Sequence, residues 1–533
     1  MTLRFCAEST ASYSSQSNLL RSAPRTVGAF FDIMSKWTTF FATLAAVLGI
    51  TPGMLPATEP MSPAAIPARP LNVLFIISDD LRTELGSYGS TLAQTPNIDR
   101  LGAEGVRFDR AYTQYPLCSP SRTSMLTGRY PTTSGLYGNR DWFNGVYPDW
   151  VSLPKYFKQH GYTTLRAGKV FHGGYDDFTA WDQGGEPHAH GPQQRTPIGG
   201  APDSASPAAE PSPAQRAQNL ARNRHSDRWA AIEGEAAAKE NDTLVAERAI
   251  EYLQKWKEQD APFFLVCGFS KPHSPLIAPK EFFEKYPTET IALPVDFAPR
   301  PTVPEGFPAG SIRPRNTDLF IGRDASPEEA KQFIRAYLAC VSYMDWNVGR
   351  VLAELDARGL RDSTIVVFWS DHGYQLGEKG KWSKAGSLWE QGARVPLVIH
   401  DPRMKGNRRS SMRIVETLDL YPTLVDLAGL PRPDGLEGVS LRPLLDDPDA
   451  RWDRPAYTVW NERGRGVTGA VVRTERWRYA EFYGRDPGAF LTDPVNDPHE
   501  LKNLAGDTAY RETVAELSAL LRKHVRDQAE PAP

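Results

Sequence analysis

Residues 118–129 read CSPSRTSMLTGR, a stretch whose residue types could hold an anion beside a reactive side chain. Pro120 suits the first turn of a helix, where its missing N–H and fixed φ cost nothing, so Cys118 is expected just ahead of a helix N-terminus. Such an end offers free N–H groups and a partial positive charge. Arg122, one turn in, adds a planar fork of donors matched to anionic oxygens. A buried cysteine before an ordinary helix is the structural alternative.

Other chemistry-bearing residues lie at the ends of apolar runs. Leu71 to Ser78 is β-branched and apolar without a turn residue, reads as a strand buried on both faces, and ends in Asp79-Asp80. Thr364 to Ser370 is a second such strand, ending in Asp371-His372-Gly373. Carboxylates at the C-terminal ends of strands lie where open α/β sheets place ligands, although two acids opening a loop would read the same way. Three of them, Asp79, Asp80 and Asp371, favour a hard divalent ion, Ca²⁺ before Mg²⁺. Lys169 and His172 stand three residues apart, so on one turn both can face one cleft. After a third strand, Pro262 to Cys267, two prolines lock a loop that holds Lys271 and His273 at the strand's C-terminal edge.

These strings together resemble the type I sulfatases, in the branch that includes iduronate-2-sulfatase. The resemblance covers about residues 70–505 and rests on the C-x-P-S-R core with its trailing Leu126-Thr127-Gly128-Arg129, on TPNIDRLGAEGVRF at 95–108, on Gly168-Lys169-x-x-His172, on the Lys271-Pro272-His273 loop, on Asp371-His372, and on the late string from Asn496 to Leu504. It implies that Cys118 is oxidised by a maturation enzyme to formylglycine, whose hydrate supplies a further oxygen to the metal. His372 stands where many members have asparagine and is the nitrogen member of the implied metal set. By the same resemblance Lys169 and His172 contact the formylglycine and the sulfate, and His273 protonates the leaving alcohol; His172 is the candidate base for the second hydroxyl of the diol. Arg122, Lys169 and Lys384 neutralise sulfate oxygens. Lys384 is carried over from a lysine before the Arg394-Val395-Pro396-Leu397 strand, with a spacing one residue longer through Gly386 and Lys381 as the fallback. The implied substrate is a sulfate ester of a sugar or polysaccharide. A phosphonate or phosphate ester hydrolase of the same fold is the rival within catalysis, and a non-catalytic sulfated-glycan binder with Cys118 still a thiol is the rival outside it.

The elements that must position these groups follow from periodicity. The expected fold is α/β and alkaline-phosphatase-like: a mixed, mostly parallel sheet between helices, with a smaller C-terminal antiparallel subdomain. The catalytic domain is placed at 69–435, with a flexible, Pro/Gly/Ala/Ser-rich insertion at 184–230, and the subdomain at 436–533. Helices are expected at 153–160, 241–254, from Ser326-Pro327 to about Leu360, around 422–428 and at 510–526. Small-sheet strands are expected at 456–460, 469–473 and 477–482. Asp99 is assigned to helix capping, Tyr337, Tyr343, Met344 and Cys267 to the core, His400 and His499 to structure, and His188, His190 and His225 to solvent.

The N-terminus has the order of a signal peptide over 34–68, with residues 1–33 read as an upstream start assigned too early; an uncleaved anchor is the alternative. An exported, periplasmic or secreted protein without a stable membrane span follows. With 61 Lys and Arg against 64 Asp and Glu, net −3, no basic coat advertises nucleic acid or an anionic membrane. Four cysteines, Cys6, Cys118, Cys267 and Cys340, make no disulfide framework; one pair, Cys267 with Cys340, is left open.

Overall fold

The apolar run after Leu71 folds as strand β1 (Asn72–Asp79), buried along its whole length. Its alternation explains why no polar residue interrupts it: Leu74 and Ile76 enter one hydrophobic cluster, while Val73, Phe75 and Ile77 enter another on the opposite face. Burying such side chains contributes about 1.5–3 kcal/mol each. The computed structural model describes residues 70–186, 227–257, 260–462, 466–483 and 486–527, within a unit that begins at residue 69. Residues 1–33, the expected signal peptide, Cys6, most of the 184–230 insertion and its three histidines lie outside the described residues.

The remaining strands are β2 (Val106–Tyr112), β3 (Thr163–Gly168), β4 (Trp229–Ile232), β5 (Phe263–Pro272), β6 (Leu276–Pro279), β7 (Thr364–Ser370), β8 (Arg394–His400), β9 (Arg409–Glu416), β10 (Ala456–Asn461), β11 (Val467–Arg473), β12 (Arg478–Phe482) and β13 (Gly488–Thr492). Seven form one sheet in the order β3-β5-β1-β7-β8-β2-β9. All neighbours pair in parallel except β8, which runs against both β7 and β2. The C-terminal ends of β1, β2, β3, β5 and β7 therefore share one edge, and the chain entering β8 starts from it.

The principal helices are α1 (Pro96–Glu104), α2 (Cys118–Thr127), α3 (Leu153–Gln159), α4 (Asn241–Lys255), α5 (Pro327–Ala357), α6 (Leu420–Leu427) and α7 (Arg511–Asp527). Helices α1, α4 and α5 cover one face of the sheet, and α2, α3 and α6 the other. The Ser326 side chain and Glu329 form a capping box at the start of α5. Strands β10 to β13 make a four-stranded antiparallel sheet in sequence order. One of its faces packs on Leu517 and Leu521 of α7, the other on Phe307, Ile312 and Trp389.

Four local expectations, on Pro120, Lys271, Asp99 and the small sheet, need correction. Cys118 is the first residue of α2, with Leu117 as N-cap, so Pro120 sits two residues deeper than a first-position proline. Strand β5 runs past Cys267 to Pro272, so Lys271 belongs to the strand end rather than to a loop. Asp99 caps less than it staples: it accepts from Ser87 N at 2.6 Å and from the Thr95 hydroxyl at 3.1 Å. The small sheet has a fourth strand, β13, that periodicity missed. Cys267 and Cys340 are both free and buried. No helix among the described residues is long and apolar enough to cross a membrane.

Candidate active site

Parallel register puts Ser78 of β1 beside Ser370 of β7, so the acids that follow leave the sheet side by side. Asp79, Asp80 and Asp371 are all fully buried. Asp80 takes a left-handed backbone, φ +68°, and its N–H donates to Asp371 Oδ1 at 3.2 Å. At the other side, Gly168 and Gly268 let β3 and β5 cross closely. A Cβ on Gly268 would meet the Lys169 carbonyl oxygen at 1.8 Å, so Lys169 can fold over the sheet edge only because that side chain is missing.

Helix α2 delivers the rest. The Cys118 Sγ lies 3.3 Å from Asp79 Oδ1 and 3.3 Å from His372 Nε2. His372 Nδ1 is 3.0 Å from the Gly373 carbonyl and donates to it, which leaves Nε2 as the ring nitrogen that faces the acids. Nε2 also lies 3.4 Å from Asp80 Oδ1 and 3.6 Å from Asp371 Oδ1. Arg122 is fully buried; its Nε donates to Asp371 Oδ2 at 2.8 Å, and Nη1 to the carbonyls of Lys169 and Val170 at 2.7 and 3.0 Å. Its fork is thus committed to carboxylate and backbone, and only Nη2, 3.8 Å from Asp79 Oδ1, lacks a hydrogen bond.

Two lysines neutralise the acids. Lys169 Nζ pairs with Asp79 Oδ2, and Lys384 Nζ lies 2.8 Å from Asp80 Oδ2. Burial works against the charge on Asp79, yet Lys169, His273 and Arg122 hold its carboxyl well below the usual range. Burial raises that of Asp80 despite Lys384 and His372. Burial, then Asp79, pushes the Cys118 thiol well up, so its thiolate is disfavoured. His273 donates from Nδ1 to the Ser274 carbonyl at 2.6 Å and turns Nε2 to within 3.9 Å of Asp80 Oδ2. Burial and Lys384 lower its pKa to about 4. Burial and Lys169 lower that of His172 to about 3, and its buried Nδ1 has no hydrogen-bond partner.

Side chains of Asp79, Cys118, Asp371 and His372 offer ligand atoms within 4.8 Å of one another, as do those of Asp79, Asp80, Cys118 and His273. Asp80 Oδ1 is buried without a hydrogen-bond partner. An unpaired buried carboxylate oxygen is costly, and a cation among these donors removes that cost; three carboxylates with the His372 ring nitrogen beside them fit a divalent ion. Cys118, Arg122, Lys169, His273, Lys384, Asp79, Asp80, Asp371 and His372 therefore share one contact network, and the electrostatics of His172 link it to the same groups. The fallback Lys381 is not in it: its buried Nζ donates to the Arg315 carbonyl at 3.0 Å. Lys271 also points away, to Glu240 at 3.3 Å and the Pro275 carbonyl at 3.1 Å. One residue was not anticipated. Asp318 lies 3.6 Å from Lys384 Nζ, in an irregular proline-rich segment whose composition carries no signal for it.

Comparison with known proteins accounts for this arrangement. The Sulfatase family model matches residues 71–430, and the model described as N-sulphoglucosamine sulphohydrolase, C-terminal, matches 377–527. A sulfatase of Formosa agariphila is 34% identical over 469 residues, covering 85% of this chain and 86% of that protein. Human iduronate 2-sulfatase is 32% identical over 492 residues, covering 79% and 87%. Among solved structures, BT4656 in complex with D-glucosamine-2-N,6-O-disulfate aligns with TM-score 0.64 at 23% identity, covering 86% of this chain and 98% of that one. The phosphonate monoester hydrolase of Agrobacterium radiobacter aligns with TM-score 0.64 at 23% identity, covering 87% and 96%. The shared fold is alkaline-phosphatase-like. A match across most of the large domain, with relatives about one-third identical over most of their length, makes this chain a member of the sulfatase family, the sulfuric ester hydrolases.

Proposed function

We propose that the chain hydrolyses a sulfate ester of a carbohydrate or sulfated polysaccharide, with Cys118, oxidised to formylglycine by a maturation enzyme, as nucleophile. The observation that carries this reading is the seat of Cys118: the first residue of α2, 3.3 Å from both the Asp79 carboxylate and the His372 imidazole. A thiolate is disfavoured there, whereas a neutral geminal diol can donate to the carboxylates around it. Asp79, Asp80, Asp371, His372 and the oxidised side chain at 118 would hold a divalent cation, Ca²⁺ before Mg²⁺, which when bound lowers the cost of negative charge on the diol.

The chain's own groups then divide the work. One diol hydroxyl attacks sulfur and the ester oxygen departs with a proton. His273, at the cluster's edge with Nε2 facing inward, is the group placed to deliver that proton; burial and Lys384 keep its ring neutral, so it must first take up a proton on Nε2, which the charge of the anionic ester favours. His172 is the one to take the proton of the second hydroxyl, expelling sulfate and restoring the aldehyde. Lys169 and Lys384 neutralise the sulfate oxygens where charge develops. Arg122 supports this indirectly, by fixing Asp371 and the Lys169 backbone.

The carbohydrate assignment draws on relatives whose names specify sugars, including human iduronate 2-sulfatase and an N-acetylglucosamine-6-O-sulfatase of Bacteroides thetaiotaomicron, 27% identical over 520 residues. Export to the periplasm or medium draws on the signal-peptide order of residues 34–68. Rates on matched aryl sulfate and aryl phosphate esters, followed by desulfation of defined sulfated oligosaccharides, test the reading. Preference for the sulfate and release of sugar sulfate are expected; preference for the phosphate would favour an esterase of phosphates on the same fold.

A further inference from the structure

Lys384 is held from two sides. Its Nζ lies 2.8 Å from Asp80 Oδ2 and 3.6 Å from Asp318 Oδ1, and its side chain is only 3% exposed. Asp318 is itself fixed: Oδ2 accepts from the Ser383 hydroxyl at 2.5 Å, and that hydroxyl meets Thr317 Oγ1 at 2.6 Å and accepts from Ala385 N at 3.2 Å. Segment 383–385, which carries the lysine, is thereby stitched to segment 317–318. Oδ1 of Asp318 is left facing the ammonium.

The two carboxylates are not equivalent. Asp80 belongs to the cluster that fits a divalent cation, and a cation on its unpartnered Oδ1 draws the carboxylate's charge away from the ammonium held on Oδ2. With Asp80 engaged, a lysine side chain without a second anchor is free to leave, and its rotamer entropy favours leaving. Asp318 sits outside the cluster and keeps its charge for Lys384. Resting on the sulfatase reading above, we propose that Asp318 is a positioning residue: it acts through Lys384, tethering the ammonium where it meets the sulfate oxygens once Asp80 is taken.

The alternative is that Asp318 only anchors its segment through Ser383. Asp318→Asn separates the two, because the amide oxygen still accepts from Ser383 while the charge is lost. With the mature, calcium-loaded enzyme and an aryl sulfate, D318N should lower kcat about 10- to 100-fold with little change in KM, and Asp318→Glu should recover most of the loss. On a Lys384→Ala background the same D318N change should alter kcat by less than about 2-fold, since its route of action is gone. Calcium affinity of D318N and D318E should stay within about 2-fold of the wild type, and a larger loss would place the effect at the cation site and overturn the tether; K384A and K384A/D318N are compared with each other, because removing the lysine itself leaves Asp80 unpaired. The tether is overturned if D318N keeps wild-type kcat, or if its effect multiplies in full on the K384A background. A mature wild-type enzyme that releases no sulfate sinks the hydrolase reading and the tether with it, whereas an active wild type with an indifferent D318N sinks the tether alone.

Discussion

Asp80 is a non-glycine residue held at φ +68°, a conformation costing on the order of 1–3 kcal/mol that persists only where the surroundings enforce it. Tyr337 supplies part of that enforcement from α5: its hydroxyl donates to the Asp80 carbonyl at 2.7 Å and accepts from Arg82 N at 3.0 Å. Tyr337→Phe keeps the ring beside Tyr374 and removes only the clamp. Calcium affinity should fall about 10- to 100-fold by isothermal titration, with a stability loss of about 1–3 kcal/mol for the polar groups left unpaired. At this scale the sequence was legible where a motif marked the residue, as at Cys118, Asp371 and Lys384. Tyr337 reads only as an aromatic core position, because its partner lies 257 residues away and no spacing rule connects them. Asp318 escaped for a similar reason: a lone aspartate among prolines becomes meaningful only when the fold brings Lys384 to it.

Elements were legible in proportion to their burial. Strands β1 and β7 and helices α4 and α5 carry long runs or strong periodicity, and they form within a few residues of expectation. Strand β13 is five residues long and follows a turn-rich stretch, so little in it alternates. The small sheet is tied to the large one by a charge cluster rather than by apolar contacts alone. Arg478 of β12 is fully buried, paired with Glu390 just before β8 and with Glu500 at 3.1 Å. Removing one partner leaves buried charges unpaired, so Arg478→Ala should destabilise by about 3–5 kcal/mol in chemical denaturation. An Arg478→Ala variant within about 1 kcal/mol of wild type would mean that the cluster is not what joins the sheets.

For the molecule as a whole, stability should report both charge burial and the bound cation. Glu416, at the end of β9, accepts from the Tyr130 hydroxyl and from Tyr457 N at 2.9 Å, joining the α2 side of the large domain to β10. Burial, and then Asp419, pushes its carboxyl from 4.5 up to about 8. The folded state therefore keeps a proton that the unfolded chain has released, and stability from this group, complete below the ordinary value, is lost as pH rises toward about 8. The slope is at most about 1.4 kcal/mol per pH unit. Glu416→Gln should flatten that decline in denaturation curves taken across the interval. Chelation should lower the melting temperature and added Ca²⁺ restore it in a concentration-dependent way, because a ligand of the folded state alone stabilises it by mass action.

The central claim is that position 118 works as an aldehyde hydrate and not as a thiol. Peptide mass spectrometry of residues 111–122, released by trypsin from protein co-expressed with a formylglycine-generating enzyme, tests it when run beside sulfate release on the same preparations. The fraction of peptide lighter by the exchange of thiol for aldehyde oxygen should rise in proportion to activity, and Cys118→Ala should abolish both. Full activity in a preparation whose Cys118 is entirely thiol would contradict it.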